Sequence, residues 1–268
     1  MPVELFDVLG FEWDRSAANA PVDSTSTAEA IATFKKGIAG HVWAAAALEG
    51  NPFTYPEVQT LIEGITVGGH KLSDERQVLN LRDGYELLRG MLQEKIFNLD
   101  KATSDALHDA IMKNDALESG HFRGEGSATS SVTVNLGERG THHRPETEAG
   151  GNNLVELFSS GTAVLMKEAG SVFELAAAYF LFAADCQFYF DGNKRTGRAM
   201  MNGLLMAAGI DAVLVPGTAR QEFNVKMSDF YASRDGTQMM SLLRAYGPVN
   251  PEPTSTKRPG KQDPNWKF

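Results

Sequence analysis

Cysteine is almost missing from this chain. Cys186 is the only one in 268 residues, so no intramolecular disulfide can form and no set of thiolates can hold zinc. Such a composition suits a reducing compartment, and the expected location is cytoplasmic. A basic start followed by an apolar stretch is also missing. Met1 to Arg15 carries Glu4, Asp7, Glu12 and Asp14, which does not read as a signal peptide. Long apolar runs are absent: the longest, Leu175 to Ala184, falls far short of the ~18 residues that span a bilayer, so no membrane partner is expected. Positive charge is in deficit, with 25 Lys and Arg against 34 Asp and Glu and a formal net charge of −9. That balance excludes wholesale binding of nucleic acid or of an anionic membrane, but leaves room for a small basic pocket that takes a nucleotide. The length fits one large domain, or one with an accessory segment, and is enough to bury a core without staples.

What the chain does have is helical pattern. Ser24 to Leu48 is Ala-rich, with Ile31, Phe34, Ile38 and Trp43 at apolar positions, and predicts one helix ending at Glu49-Gly50-Asn51. Thr54-Tyr55-Pro56-Glu57 is a capping box that starts a short helix running to about Glu63. Ser73 opens a long helix that places Val78, Leu81, Tyr85, Leu88 and Leu92 on one stripe. Further helices are predicted at Ser104–Leu117, Asn153–Ala169, Ser171–Cys186, Asn193–Ala208, and within Thr218–Ala232 and Thr237–Ala245. Alternation over Ser131 to Leu136, with Gly124 to Gly126 as a turn, predicts a small hairpin within Phe122–Leu136, and Gly137 to Asn153 reads as loop. The expected fold class is therefore all-α, a helical bundle with one small β-hairpin. Residues 247–268, rich in Pro, Lys and Ser, read as a mobile tail whose Lys257, Arg258, Lys261 and Lys267 either meet a partner or are simply solvated.

The chemistry concentrates in Gln187-Phe188-Tyr189-Phe190-Asp191-Gly192-Asn193-Lys194-Arg195-Thr196-Gly197-Arg198. A buried helix ends, a polar loop follows, and the next helix opens with Lys194, Arg195 and Arg198. The helix dipole alone disfavours cations there, so their placement makes sense if an anion sits at that terminus. Gly192 lets its backbone approach such an anion, and Asp191 is a hard oxygen ligand suited to Mg²⁺ between phosphates. Read alone, Asp191-Gly192-Asn193 is equally a turn and helix cap with a solvated basic face.

This segment resembles the signature of the Fic (Fido) family, H-x-F-x-(D/E)-G-N-(G/K)-R-x-x-R, matched at Asp191, Gly192, Asn193, Lys194, Arg195 and Arg198. Gly120-His121-Phe122-Arg123 resembles the entry to the family's β-hairpin flap. Leu48-Glu49-Gly50-Asn51-Pro52-Phe53-Thr54, Glu57-Val58, Val67-Gly68-Gly69 and Asn80 resemble the region of members that carry their own inhibitory helix. The resemblance covers roughly residues 40 to 246 and implies the Fic/Fido helical bundle with its flap. Its division would be an N-terminal helical region at 1–110, with the inhibitory helix at about 24–51, and a core at 111–246. The implied activity is Mg²⁺-dependent transfer of AMP from ATP to a hydroxyl of a target protein. By resemblance, Asp191 holds Mg²⁺, while Gly192, Asn193, Lys194, Arg195 and Arg198 bind the nucleotide. Arg195 also neutralises charge in the transfer. Glu49 is the inhibitory glutamate that pairs with Arg198, although read alone it is also an ordinary helix-terminal residue. Asn202 and Tyr231 line the adenine side or merely pack. Ser131, Val132, Thr133 and Val134 dock the unidentified target by strand addition. A homodimer stays open.

The pattern departs from the family in three places. Gln187 stands where the family has its histidine general base, and an amide cannot accept the hydroxyl proton, a loss of roughly 10² to 10⁴ in rate. Phe188 and Tyr189 replace the usual proline and phenylalanine. Ala45 stands where a Ser or Thr ordinarily precedes the glutamate by four residues. His121, His142 and His143 are the histidines within reach of supplying a base, whereas His41, His70 and His108 read as structural or exposed. Three readings follow: a nucleotide-binding protein with impaired AMP transfer that acts by binding or regulation, an active AMP transferase, or a transferase of another phosphate-linked group.

Overall fold

In the computed structural model, residues 3–18, 22–128, 130, 132–136, 140–142 and 145–247 are described. The tail at 248–268, Ser131 and His143 lie outside them. The helices are α1 (Val3–Leu9), α2 (Thr27–Lys36), α3 (Ile38–Leu48), α4 (Tyr55–Ile62), α5 (Leu72–Gln93) and α6 (Lys101–Met112). A hairpin of β1 (Val134–Asn135) and β2 (Thr141–His142) follows, then α7 (Asn152–Glu168), α8 (Val172–Cys186), α9 (Asn193–Ala207), α10 (Arg220–Ser233) and α11 (Thr237–Ala245). No described helix is long and apolar enough to cross a membrane.

The apolar stretch that reads as a buried helix becomes the centre of the bundle: every residue of α8 from Phe173 to Cys186 is buried. Helix α9 lies against it so closely that a Cβ on Gly197 would sit 3.3 Å from the Phe180 ring. Helices α5 and α6 complete that side, with the predicted stripe Val78, Leu81, Tyr85, Leu88 and Leu92 buried. One hydrophobic core runs from Leu5 in α1 to Leu243 in α11, so the N-terminal helices and the α6–α9 region share their packing. The capping box holds as read, with Glu57 Oε2 accepting from the Thr54 N–H at 2.7 Å.

Helix α1 has no counterpart in the sequence reading, α6 runs Lys101–Met112 rather than Ser104–Leu117, and two further elements differ. The single helix predicted over Ser24–Leu48 is two, broken at Gly37, whose backbone leaves the helical region (φ −98°, ψ 11°). Helix α2 packs on α5 and α9, whereas α3 packs on α4, α5 and the 3₁₀ turn Gly217–Ala219, so the two halves need different directions. The hairpin does not turn at Gly124–Gly126. Val134 pairs with His142 and Asn135 with Thr141, so its second strand falls in the segment read as loop, and Val132 and Thr133 precede the ladder.

Candidate functional site

The loop between α8 and α9 is fixed from all sides before any charge is considered. Gln187 closes α8 in the left-handed conformation (φ 47°), its N–H on the Ala183 carbonyl. Arg123, fully buried, donates from Nε to the Gln187 carbonyl at 2.6 Å and from Nη2 to those of Pro145 (3.0 Å) and Cys186 (3.3 Å). A guanidinium on the last carbonyls of a helix satisfies groups that otherwise lack partners, at the negative end of the dipole. Its own N–H donates to Phe188 O at 2.8 Å. Phe188 then fills the space between Phe122, Phe158 and Phe182. The Tyr189 hydroxyl donates to Asp105 and meets Ser104 Oγ, both at 2.8 Å.

Asn193 closes the loop on itself. Its Oδ1 accepts from the Tyr189 N–H at 2.9 Å, and its Nδ2 donates to Tyr189 O at 2.7 Å and to Gln187 Oε1 at 3.0 Å. Gln187 Nε2 donates in turn to Ala184 O at 2.7 Å, so both ends of that amide are engaged. Gly192 takes φ +75°, and a Cβ there would lie 2.4 Å from Met112 Cγ, so glycine is required by conformation and by space. The Asp191 carboxylate is two-thirds exposed; Oδ1 accepts from the Gly192 N–H at 2.6 Å and Oδ2 lies 3.2 Å from Arg195 Nη2.

The cations of α9 face Glu49, the residue that ends α3. Glu49 Oε1 lies 3.1 Å from Arg198 Nη2 and Oε2 lies 3.2 Å from Lys194 Nζ. Burial pushes the Glu49 carboxyl up, but Lys194, Arg198 and Arg195, with the Arg198 hydrogen bond, outweigh it and bring it down to about 2. Nη2 of Arg198 also lies 3.5 Å from the carbonyl of Ala45, so the backbone reaches the guanidinium where a hydroxyl side chain is missing. Arg198 is 5% exposed, yet its Nε and Nη1 are buried without a partner, as is Thr196 Oγ1. Buried donors left in this way each cost about 1–3 kcal/mol, so an anion with several oxygens fits here. For a cation the fit is through Asp191 with ligand oxygens: among the described residues no group of three or more His, Cys, Asp and Glu could hold a metal.

The remaining predicted residues divide. Both polar ends of the Asn202 amide are taken by the backbone of Val213, at 2.9 and 3.1 Å, which makes it a packing residue. The Tyr231 hydroxyl donates to Ala184 O at 3.2 Å, and its ring stacks on His142 at 5.1 Å. His142 is buried with Nε2 3.0 Å from Asp185 Oδ1, against the end of α8, and Asp185 also binds Arg234. His121 is exposed. His70 pairs with Glu57 at 3.1 Å. Two residues escaped sequence reasoning as parts of the site. Arg123 was legible only as flap entry, because its acceptors, the Gln187, Cys186 and Pro145 carbonyls and Thr147 Oγ1, lie 22 to 64 residues away. His108 is fully buried with Nε2 2.9 Å from Asp191 O and Nδ1 2.9 Å from Gly120 N, and burial lowers its pKa to about 4.

Residues 98–205, which carry the loop between α8 and α9, match the model of the Fic/DOC family. Over 190 residues the chain is 26% identical to the protein adenylyltransferase Fic of Drosophila yakuba, an overlap of 68% of this chain and 35% of the relative. It is 27% identical over 188 residues to the protein of that name from Drosophila erecta, with the same coverage. The chain thus spans about a third of the length of these curated relatives. Among solved structures, Fic-1 from C. elegans superposes with a TM-score of 0.61 at 16% identity, over 91% of this chain and 67% of that one. A Fic domain containing signaling protein from Bacteroides thetaiotaomicron gives 0.64 at 17% identity, over 90% and 88%. Both are alike in fold.

Proposed function

We propose that this chain binds ATP with Mg²⁺ at the start of α9, that Glu49 holds the site closed, and that AMP transfer to a target hydroxyl is impaired at Gln187. The observation that carries the reading is Arg198, a buried cation held on one nitrogen by Glu49 with Nε and Nη1 unpartnered. A terminal phosphate would take those donors and compete with Glu49 for the guanidinium. Asp191 would hold Mg²⁺, which when bound neutralises charge on the phosphates. The amides of Asn193 and Lys194 open α9 and would meet the same anion, while that of Gly192 is held by Asp191 Oδ1. Lys194 and Arg195 would add positive charge where the phosphates lie. Gln187 offers no lone pair of useful basicity, and its amide is committed to Asn193 and Ala184, so the proton of an incoming hydroxyl has no acceptor there. In this reading the protein acts through nucleotide occupancy. Its protein partner adds a strand beside Val132, Thr133 and Val134, with Ser131 outside the described residues.

One observation favours a second reading, in which transfer survives. His142 lies against the end of α8, oriented by Asp185 two residues before Gln187, and would be the base. Calorimetric titration of ATP·Mg²⁺ into the unsubstituted chain and into Glu49→Gly tests the first reading. Removal of Glu49 should tighten binding by about tenfold or more, the equivalent of ~1.4 kcal/mol. Equal affinities would remove Glu49 from the site. The second reading requires nucleotide-dependent modification that His142→Ala abolishes.

A further inference from the structure

We propose that His108 is a positioning residue for Asp191: as the Nε2–H tautomer it pins the Asp191 carbonyl and so prevents the Asp191–Gly192 peptide from flipping. The inference rests on the nucleotide site proposed above, because that peptide carries the Gly192 N–H and adjoins the carboxylate assigned to Mg²⁺.

The tautomer follows from the partners. Gly120 N lies 2.9 Å from Nδ1, and an amide can only donate, so Nδ1 carries the lone pair. Asp191 O lies 2.9 Å from Nε2, and a carbonyl can only accept, so Nε2 carries the proton. The ring cannot rotate out of this arrangement, because it lies parallel on Tyr189 at 3.7 Å and 6°, and it is fully buried. Tyr189 is itself tied to Ser104 and Asp105, a turn earlier on α6. Helix α6 therefore grips the loop at Tyr189 and at Asp191, on either side of Phe190.

What makes the second grip necessary is Gly192. With no Cβ, glycine leaves the preceding peptide plane free to rotate between conformations of similar energy. A flip would turn the Gly192 N–H away from Asp191 Oδ1, which it now meets at 2.6 Å, and would break up the start of α9. Met112 packs against the Gly192 Cα, but nothing in that contact selects the orientation of the peptide. The Nε2–H···O bond does. On its other side the ring holds Gly120, which leads into Phe122 and Arg123 and hence to the Gln187 carbonyl.

Two isosteres separate the two bonds. Asn at 108 presents an acceptor at the position of Nδ1 and keeps the Gly120 bond, whereas Gln presents a donor at the position of Nε2 and keeps the Asp191 bond. Both lose the Tyr189 stack equally. Hydrogen exchange without nucleotide should show residues 188–193 opening about tenfold faster in His108→Asn, with residues 118–124 unchanged, and the reverse in His108→Gln. Equal loosening of both segments in both variants, or of neither, overturns the proposal. In the Glu49→Gly background, His108→Asn should weaken ATP·Mg²⁺ by about tenfold while His108→Gln stays close to its parent. Equal affinities overturn it too. A parent that binds no ATP·Mg²⁺ refutes the nucleotide site, and the exchange pattern still decides the role of His108. Imidazole ¹⁵N shifts of the unsubstituted chain give a check free of substitution: an Nδ1–H tautomer for His108 refutes the assignment.

Discussion

Glu49 is drawn up by burial and down by three cations, and the cations win, leaving its carboxyl at about 2. A folded value below the ordinary carboxylate range means that the stabilisation is fully present above about pH 4.5 and is lost as pH falls through about 2. Near neutrality the Glu49 contacts therefore do not depend on pH, and under the proposed function only a competing anion would release them. Glu49→Gln leaves Arg198 and Lys194 without a counter-charge, a loss of about 3–5 kcal/mol for a buried pair. We expect it to lower the melting temperature by several degrees in scanning fluorimetry, and ATP·Mg²⁺ to restore most of the difference. A second residue-scale test is Gly192→Ala, which meets both a left-handed backbone and Met112. It should cost about 1–3 kcal/mol in urea unfolding, and Met112→Ala added to it should recover part of that but not the strain of the backbone. The residues of the loop were legible in the sequence because Asp191 to Arg198 are contiguous and their types state their chemistry. His108 and Arg123 were not, since each binds backbone atoms of a distant segment, and a carbonyl leaves no mark in the residue pattern.

Among the elements, Arg123 gives the sharpest test, because it joins the end of α8 to the segment that follows the hairpin through Gln187, Cys186 and Pro145 carbonyls. A lysine keeps the charge but lacks the planar fork that reaches several acceptors at once. Arg123→Lys should destabilise the chain by about 2–4 kcal/mol in denaturant titrations, from the acceptors it leaves buried and unpaired. A change below about 0.5 kcal/mol would mean that the helix end needs no such cap. Most helices were readable from apolar spacing and caps, α5 and α11 above all. The break at Gly37 was not, because an Ala-rich run tolerates one glycine at a cost of ~1 kcal/mol and the break is decided by what each half packs on. The hairpin was displaced for a related reason: strands of two residues carry no usable alternation.

At the scale of the whole molecule, one core joins the segment bearing Glu49 to the helices bearing its cations, so the Glu49 contacts and the stability of the fold are linked. The chain's start is tied in as well: Glu174, fully buried on α8, accepts from Trp13 Nε1 at 2.9 Å and from Arg15 Nε at 2.7 Å. No pattern in the first residues announces that tie, since it rests on a carboxylate 159 residues away. The all-α class was readable from the apolar run of α8 and the many caps. A pH dependence belongs at this scale too. Burial lowers His41, whose ring packs on Phe34, to about 4. The unfolded chain takes up that proton first, so stability should fall between about pH 6.5 and pH 4, by up to about 3 kcal/mol. His41→Phe should remove its share of that fall in unfolding titrations at pH 7 and pH 5, leaving the share of His108, which burial also lowers to about 4. The central claim, a nucleotide-transfer site disabled at one position, is tested most directly by intact mass after incubation with ATP and Mg²⁺ in the Glu49→Gly background. Gln187→His should gain the mass of AMP while the Gln187 chain stays unmodified. Modification of the Gln187 chain to the same extent, or of neither, would contradict it.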